Sequence, residues 1–324
     1  MLKILHTARY TGTPLEILRE ACPKGFLVKT LDEATHGNLV REAAEADYLL
    51  VSGRLPIDAA VLDAARGLRM IQRTGVGTEM LDLDEIRRRG IPVYVNAGVN
   101  ARSVAEHTLL LMLASLRRLP QIDRQTRGGT WKKQQTGVTT RELFGKTVGL
   151  VGMGHIGRTV ALLLHPFGVR ILYSDIFRQP ASVEESLGLT YCDSFEKMLP
   201  QVDVLSFHCP LTTDNERMLD ARTLALMRSG AIVINTARGR LIDPQALFDA
   251  LQAGKVAAAG LDTHFEEPLP AEYPLAHLDN VILTPHIGGL SYEAFASMMK
   301  GAMDNIAAFE AGRLDEIASK RLSL

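Results

Sequence analysis

The sequence predicts an α/β fold made of doubly wound parallel sheets. Short apolar runs, rich in leucine or β-branched residues, alternate with helical patterns from one end of the 324-residue chain to the other. Gly, Pro, Asp or Asn residues bound these runs. Continuous apolar strands separated by helices are typical of parallel sheets that helices cover on both faces. A chain of this length, with 46% hydrophobic residues, can bury two separate cores.

The first predicted sheet covers residues 1 to about 99. The N-terminal run Met1-Leu2-Lys3-Ile4-Leu5-His6 is the first strand candidate, and further candidates lie at residues 48–51, 69–72 and 93–95. A long apolar helix is predicted to follow, from about Ala101 to Leu119. The polar stretch 124–141, which holds Trp131, then interrupts the pattern.

A second βαβ series begins at Lys146. Its strand candidates are residues 147–151, 170–173, 202–205, 231–234 and 281–283. The segment from Ser291 to about Ala311 is predicted to be helical and to pack back on the first sheet. We therefore predict two doubly wound domains, with residues 100–289 inserted into a flavodoxin-like domain of residues 1–99 and 290–324.

Charge, apolar runs and cysteines narrow the classes of function. A formal net charge of −1 gives no strongly basic surface, so nucleic acid is not an expected partner. The longest apolar run, residues 109–114, is too short to span a bilayer, and the N-terminus lacks the apolar core of a signal peptide, so no membrane is expected. Cys22, Cys192 and Cys209 lack metal-ligand spacing, which favours free thiols in a reducing cytoplasm.

A glycine fingerprint for a dinucleotide lies after the strand candidate at 147–151. In the hexapeptide Gly152-Met153-Gly154-His155-Ile156-Gly157, Gly152 permits a tight turn, Gly154 lets the backbone approach a pyrophosphate, and Gly157 lets the following helix pack on the strand. A glycine turn without a ligand is the alternative. The order of strand, glycines and helix favours the fingerprint. We therefore predict that residues 100–289 are a Rossmann cofactor domain and that residues 1–99 and 290–324 form the substrate domain.

The residues around the fingerprint predict which dinucleotide binds. The backbone N–H groups of His155 and Ile156 are predicted to point at the phosphates. Asp175, at the end of the next strand, is placed to accept hydrogen bonds from the adenosine ribose hydroxyls, which favours NAD over NADP. Ile176 and Phe177 suit an adenine slot, but Arg178 complicates the choice because it could reach a 2′-phosphate.

Three residues downstream suggest the reaction. Arg238 follows the strand candidate at 231–234, and a guanidinium can hold a substrate carboxylate by a two-pronged fork. His286 follows the strand candidate at 281–283, and an imidazole exchanges a proton near neutral pH. Glu267 can orient that ring and favour its charged form. Beside a nicotinamide, these groups could interconvert a 2-keto acid and a 2-hydroxy acid.

Each of these residues also has an ordinary interpretation. Arg238 alone could be a surface charge, and Glu267 could be a solvated loop acid, as we predict for Glu266. The other eight histidines are predicted to be structural: His6, His36, His107, His155, His165, His208, His264 and His277. Of these, His208 and His264 are the most open to another role.

Several further motifs follow one another in a fixed order. They are Thr74-Gly75-Val76-Gly77-Thr78, Asn100-Ala101-Arg102-Ser103-Val104-Ala105-Glu106, Leu143-Phe144-Gly145-Lys146-Thr147-Val148-Gly149, His208-Cys209-Pro210-Leu211, Asn235-Thr236-Ala237-Arg238-Gly239, Gly260-Leu261-Asp262 with Glu267-Pro268, and Thr284-Pro285-His286-Ile287-Gly288-Gly289. Over nearly its whole length the chain resembles the D-isomer-specific 2-hydroxyacid dehydrogenases. The resemblance implies NAD as cofactor, no metal, and a small 2-keto or D-2-hydroxy acid substrate of the glyoxylate, hydroxypyruvate or phosphoglycerate type.

The resemblance also implies roles for individual residues. Arg238, Glu267 and His286 would be catalytic, with His286 as acid and base. Asp262 would hydrogen-bond the nicotinamide carboxamide. The residues expected to contact NAD lie in loops: Gly152, Gly154, His155, Ile156, Gly157, Asp175, Cys209, Pro210, Thr236, Ala237, Arg238, Asp262, His286 and Gly288.

Substrate contacts are expected from both halves of the sequence. Beside Arg238 and His286, the backbone N–H groups of Gly75-Val76-Gly77 can form an anion-binding nest, and the family uses this loop in that way. Arg54, at another strand end, could bind a second polar part of the substrate or could equally be a surface arginine. Where the family usually has Val after the Leu-Asp pair, this chain has Thr263, followed by His264, which is expected to alter packing near Glu267.

Two alternatives remain open at this point. The family implies a homodimer through the cofactor domain, and the apolar helix 101–119 and the segment with Trp131 suit that interface; a helix buried within one chain is the other interpretation. The rival function is an NAD-sensing protein on the same scaffold, like the family's corepressors. Turnover of a 2-keto acid with NADH would separate these functions.

Overall fold

The computed structural model describes residues 1–53 and 55–323 and divides into two compact units. The first consists of Met1–Asn100 together with the C-terminal segment from Leu290, and the second of Ala101–Gly289. Arg54, one of the predicted substrate contacts, lies outside the described residues.

The first unit holds a five-stranded parallel sheet. Its strands are β1 (Leu2–His6), β2 (Phe26–Thr30), β3 (Tyr48–Val51), β4 (Met70–Arg73) and β5 (Val93–Tyr94). Its helices are α1 (Thr13–Ala21), α2 (His36–Ala43), α3 (Ala59–Ala64), α4 (Leu83–Arg88) and a C-terminal helix (Tyr292–Glu310). The strand order β2-β1-β3-β4-β5 is that of flavodoxin-like folds.

Alternate residues of these strands enter two apolar clusters, one on each face of the sheet. Leu49 packs in one cluster, while its neighbours Tyr48 and Leu50 pack in the other with Met299 and Met303 of the C-terminal helix. Successive strand side chains point to opposite faces, so a strand covered on both sides must be apolar throughout. This explains the continuous apolar runs in the sequence.

The second unit holds a seven-stranded parallel sheet. Its strands are β6 (Thr147–Val151), β7 (Arg170–Ser174), β8 (Leu189–Tyr191), β9 (Val204–Phe207), β10 (Ala231–Asn235), β11 (Val256–Leu261) and β12 (Val281–Leu283). The strand order is β12-β11-β10-β9-β6-β7-β8. The order reverses between β6 and β9, and ligands of such sheets bind beyond the carboxyl ends of the strands at that point.

Eight α-helices accompany this sheet within the described part of the unit. They are α5 (Ala101–Leu116), α6 (Leu119–Arg127), α7 (Lys133–Gly137), α8 (His155–Leu164), α9 (Ala181–Leu187), α10 (Phe195–Met198), α11 (Ala221–Leu226) and α12 (Pro244–Gln252). Short 3₁₀ turns lie at His165–Phe167, Leu199–Gln201, Gly239–Leu241 and Pro274–His277, and one at Leu314–Lys320 in the first unit. Along residues 1–53 and 55–323, none of the helices could cross a membrane.

The predicted fold class is confirmed, and some element bounds differ. The helix predicted over 101–119 ends at Leu116, because Arg118 adopts a left-handed conformation (φ 52°) and Pro120 fits only the first turn of the next helix. The polar stretch 124–141 is not wholly irregular, since it includes the end of α6 and all of α7. Strands β2, β8 and β11 were not predicted.

Candidate active site

The glycine fingerprint forms the turn between β6 and α8. Gly152 has φ 95°, and a Cβ there would lie 2.6 Å from the Cys209 backbone nitrogen. A Cβ on Gly157 would lie 2.2 Å from the Gly152 carbonyl oxygen. At Gly154, by contrast, a Cβ would meet nothing within 4 Å. The first and third glycines are therefore required by the protein's own packing, and the middle one faces open space.

Helix α8 presents its first backbone N–H groups at this open space. It begins at His155, and its N-cap residue, Gly154, has no side chain to occupy those donors. The free N–H groups and the helix dipole favour an anion here. His155 and Ile156 are therefore the first two residues of the helix, and the turn fits a dinucleotide pyrophosphate.

Asp175 follows β7 and ties the strand end to the glycine turn. Its Oδ2 accepts a hydrogen bond from the Met153 N–H at 2.6 Å, and its Oδ1 accepts one from the Phe177 N–H at 2.9 Å. A carboxylate has about four acceptor positions, so both oxygens can accept further donors such as ribose hydroxyls. Ile176 and Phe177 are exposed beside it.

Arg178, the complication for cofactor choice, is engaged by another residue. Its guanidinium binds Glu184 at 2.9 Å and lies 5.3 Å from the centre of the Tyr191 ring. Hydrogen bonds from Arg178, and to a smaller extent one from Tyr173, lower the pKa of Glu184 to about 2. Glu184 therefore stays ionised at neutral pH and competes with a cofactor 2′-phosphate for Arg178.

The segment after β9 packs beneath the glycine turn. His208 is buried, and burial lowers its pKa to about 3, so the ring is neutral; its Nε2 lies 2.9 Å from the Ser206 hydroxyl. Burial also raises the pKa of Cys209 to about 11, so its thiol stays protonated and is no nucleophile. The backbone of His208 and Cys209 thus packs against Gly152 of the turn, whereas Pro210 is exposed.

The loop after β10 carries Thr236, Ala237 and Arg238. The fully buried Asn235 shapes it, because its Oδ1 accepts from the Ala237 N–H at 3.0 Å and its Nδ2 donates to the Arg238 carbonyl at 2.9 Å. The Thr236 hydroxyl lies 2.8 Å from the Thr108 hydroxyl of α5. The Arg238 guanidinium donates to the Ala237 carbonyl at 2.8 Å.

The loop after β12, residues 284–288, is the His286 turn. His286 Nδ1 lies 2.9 Å from Glu267 Oε2, and Glu267 Oε1 accepts the His264 backbone N–H at 2.9 Å. His286 has φ 59°, a left-handed conformation that costs a non-glycine residue about 1–2 kcal/mol. The turn must therefore be held in place by its surroundings.

Asp262, which follows β11, holds the His286 turn in place by hydrogen bonds. Its side chain is 2% exposed; Oδ1 accepts from the Thr284 hydroxyl at 2.6 Å and the Ile287 N–H at 2.9 Å, and Oδ2 accepts from the Gly288 N–H at 2.8 Å. Burial alone would raise the pKa of Asp262, but hydrogen bonds from His107, Thr284 and the turn backbone outweigh it and lower the pKa to about 2. Asp262 is therefore an anion.

The predicted catalytic residues follow three neighbouring strands. Arg238 follows β10, Glu267 lies in the segment after β11, and His286 follows β12. Carboxyl ends of parallel strands share one edge of a sheet, so these residues lie at the same edge as the glycine turn. Within the described residues, no group of three or more His, Cys, Asp or Glu side chains could hold a metal ion.

The predicted anion nest belongs to the first unit. Gly75-Val76-Gly77 follows β4, and the Gly75 carbonyl accepts the Asn96 N–H at 3.0 Å. Val76 is about half exposed. The backbone of this loop is thus anchored at one end while its tip reaches solvent.

Three further residues support the His286 turn, and this role was not predicted from the sequence for any of them. His264 was singled out, and its ring Nε2 lies 2.9 Å from the Thr284 carbonyl oxygen. His107, predicted to be structural, has Nε2 3.0 Å from the Thr284 hydroxyl, and Ser103 donates to the Gly288 carbonyl at 2.7 Å. The spacing of Ser103 and His107, four residues apart, places them on one helix face, which was the available signal.

A family model agrees with this geometry. The model described as D-isomer specific 2-hydroxyacid dehydrogenase, NAD binding domain, matches residues 109–288, which is more than half of the chain. The matched region contains the glycine turn, Asp175 and the three predicted catalytic residues.

Individual relatives extend the match to most of the chain. The glyoxylate reductase of Korarchaeum cryptofilum is 37% identical over 85% of this chain and 83% of its own length. The D-3-phosphoglycerate dehydrogenase of Archaeoglobus fulgidus is 35% identical over 90% of this chain, which spans only 54% of that relative.

A solved structure shows the same fold. The D-lactate dehydrogenase of Aquifex aeolicus, complexed with NAD and lactic acid, superposes with a TM-score of 0.83 at 26% identity, over 99% of this chain and 98% of that one. Sheet order, glycine turn and sequence similarity lead to one conclusion. The chain belongs to the D-isomer specific 2-hydroxyacid dehydrogenase family and is an NAD-dependent oxidoreductase acting on CH–OH groups.

Proposed function

We propose that this enzyme interconverts a small 2-keto acid and the D-2-hydroxy acid, with His286 as the group that gives and takes the proton. The observation that carries the proposal is the 2.9 Å contact between His286 Nδ1 and Glu267 Oε2. It leaves Nε2 as the nitrogen that can serve a substrate, and 41% of the His286 side chain is exposed. An imidazole that a carboxylate orients and that substrate can reach suits general acid–base chemistry.

Each residue has a defined part in the reduction. When bound, NADH supplies the hydride for the substrate 2-carbon. Protonated His286 donates from Nε2 to the carbonyl oxygen, and Glu267 stabilises the positive ring and fixes its orientation. Arg238 binds the carboxylate and polarises the carbonyl. In the oxidation, neutral His286 takes the hydroxyl proton.

Two relatives and the candidate anion contacts support the proposed substrate class. The two relatives above are named glyoxylate reductase and D-3-phosphoglycerate dehydrogenase, so we place the substrate among glyoxylate, hydroxypyruvate and phosphoglycerate-type acids. The N–H groups of Gly75-Val76-Gly77 are proposed to bind a carboxylate. Arg54 is a candidate for a second anionic group, as a phosphorylated substrate would need.

The first test is turnover. NADH oxidation is followed with glyoxylate, hydroxypyruvate, pyruvate and 3-phosphohydroxypyruvate. We expect catalysis with at least one of them. No turnover of any of the four would contradict the proposed substrate class.

The second test separates chemistry from binding. We expect His286→Asn, which tolerates the left-handed backbone, to lower kcat by about a hundredfold or more, the usual scale for losing general acid–base help. The NADH dissociation constant, measured by fluorescence titration, should change little. A variant with full kcat would exclude His286 as the proton donor.

A homodimer through the second unit is part of this proposal. The residues Leu119, Trp131 and Val138 are apolar and 52–82% exposed, which suits a surface that a partner covers. Helix α5 itself packs against α8, β10 and β11 of its own unit, so the exposed segment after it is the stronger candidate for contact. Light scattering at micromolar concentration should give twice the chain mass of 35.5 kDa, and a monomer mass would contradict the proposal.

A further inference from the structure

A chain of partly buried hydrogen bonds joins helix α5 to the His286 turn, and the mechanism above assigns it no role. We propose that His107, acting through Thr284 and Asp262, is a positioning residue that holds His286 for proton transfer. The inference rests on the proposed function of His286 and adds to it a residue that does not touch the substrate.

The direction of each hydrogen bond in this chain is fixed by chemistry. Asp262 is ionised, so its oxygens only accept. The Thr284 hydroxyl donates its one proton to Asp262 Oδ1 at 2.6 Å and can only accept from His107, whose Nε2 lies at 3.0 Å. The same Nε2 lies 3.4 Å from Asp262 Oδ1, another acceptor. His107 must therefore carry its proton on Nε2.

The chain holds the His286 turn at both ends. Thr284, two residues before His286, is fixed by His107 and Asp262. The N–H groups of Ile287 and Gly288, directly after His286, are fixed by the same carboxylate. Moving either end would displace the imidazole between them, because a side chain follows its own backbone.

Helix α5 provides the rigid base for this arrangement. His107 lies in the middle of its sixteen residues and is 14% exposed at the side chain. One helical turn earlier, Ser103 donates to the Gly288 carbonyl oxygen at 2.7 Å. Two side chains of one helix face thus bind the beginning and the end of the His286 turn.

The packing around Gly288 shows how close this fit is. A Cβ on Gly288 would lie 2.9 Å from Asp262 Oδ2 and 3.2 Å from His107 Cδ2. The absence of a side chain there lets the turn approach both residues. This turn has little room to move while His107 and Asp262 stay in place.

The test uses two matched pairs of variants. His107→Phe keeps an aromatic ring and removes the donor, whereas His107→Gln retains an N–H at a similar reach. Thr284→Val keeps the shape and removes the hydroxyl, whereas Thr284→Ser keeps it. We expect the first member of each pair to lower kcat by about tenfold, the upper range for the loss of one hydrogen bond, and the second member to retain most of the wild-type kcat. The NADH dissociation constant should change less than about threefold.

A control distinguishes positioning from general loss of stability. Leu224→Ala removes a buried side chain in α11 of the same unit and should lower Tm without lowering kcat. If His107→Phe and Leu224→Ala reduce kcat equally at equal loss of Tm, the positioning role is excluded. If His107→Phe fails to fold, the Thr284 pair gives the same comparison.

A double-mutant cycle with His286→Asn completes the test. If His107 acts through His286, His107→Phe should have no further effect on kcat once His286 is replaced. An equal loss in both backgrounds, or no loss in the wild-type background, would overturn this inference and leave the proposed function intact. Full kcat in His286→Asn alone would instead overturn the proposed function.

Discussion

The glycine turn and the His286 turn lie at the same edge of one sheet, yet they are held by different kinds of contact. The glycine turn is a short stretch of chain shaped by steric limits: Gly152 and Gly157 leave no space for a Cβ. The His286 turn is shaped by hydrogen bonds from residues far away in the sequence, such as His107 and Asp262. The first kind is visible as a motif, and the second becomes visible only in three dimensions.

The two turns also differ in what they require of a ligand. The glycine turn offers backbone N–H groups of α8, which any pyrophosphate can use. The His286 turn offers one side chain whose ring position must be fixed relative to a reacting atom. We therefore expect substitutions in the glycine turn to act on NADH affinity or folding, and substitutions around His286 to act on kcat.

The largest effect that can break this comparison lies within the fingerprint. Gly157→Ala should lower Tm and weaken NADH binding by about a hundredfold, because its Cβ would meet the Gly152 carbonyl at 2.2 Å and overpacking costs about 1–3 kcal/mol. Gly154→Ala should leave Tm unchanged, because its Cβ meets nothing within 4 Å. It should still raise the NADH dissociation constant by about tenfold, since the pyrophosphate needs that space.

Thermal melts without cofactor and fluorescence titration with NADH separate these outcomes. At saturating NADH, Gly154→Ala should retain nearly the wild-type kcat. Wild-type affinity for NADH in Gly154→Ala would show that the pyrophosphate does not approach this glycine.

The same contrast explains which elements the sequence predicted. Strands β6 and β10 are β-branched, apolar runs with clear ends, so pattern alone located them. Strand β11, Val256–Leu261, contains three alanines and a glycine, which have little strand preference, and pairing with β10 and β12 makes it a strand. Strand β2 lies at the sheet edge with alternate exposed residues, which weakens its apolar signal.

The site divides in a similar way. Arg238 and His286 are reactive residue types that follow strands closely, and Glu267 belongs to a family motif with Pro268, so the sequence could nominate all three. The contact of His107 with Thr284 joins residues 177 positions apart and depends on how α5 packs on the sheet. Thr263 and His264 were expected to alter packing near Glu267. The His264 backbone N–H donates to Glu267, and the His264 ring contacts the Thr284 carbonyl oxygen.

A tenfold effect is expected at Asp175, which accepts a hydrogen bond from Met153 of the glycine turn. Wild type should prefer NADH to NADPH in kcat/KM by at least about tenfold, or roughly 1.4 kcal/mol. A 2′-phosphate would meet the Asp175 carboxylate, while Arg178 is paired with Glu184 at 2.9 Å. Asp175→Ala should lose most of that preference, measured with one good keto acid.

A second variant identifies the role of Arg178. Glu184→Gln weakens the hold on Arg178 while leaving Asp175 in place, and it should improve NADPH use less than Asp175→Ala does. If wild type uses both cofactors equally, Arg178 governs the pocket and the assignment to Asp175 is wrong.

The smallest effect sharpens the comparison at the His286 turn. Glu267→Gln keeps a group that can hydrogen-bond His286 Nδ1 but removes the negative charge, so the protonated ring loses stabilisation. Keto-acid reduction needs that protonated ring. The pH at which the reductive rate falls to half should therefore move to lower pH. Glu266→Gln, the same change in the adjacent exposed acid, is the matched control and should leave the profile unchanged. Equal pH profiles for the two variants would mean that the 2.9 Å contact orients His286 without influencing its charge. Glu267 would then act only by positioning the ring, as the other residues that support this turn do.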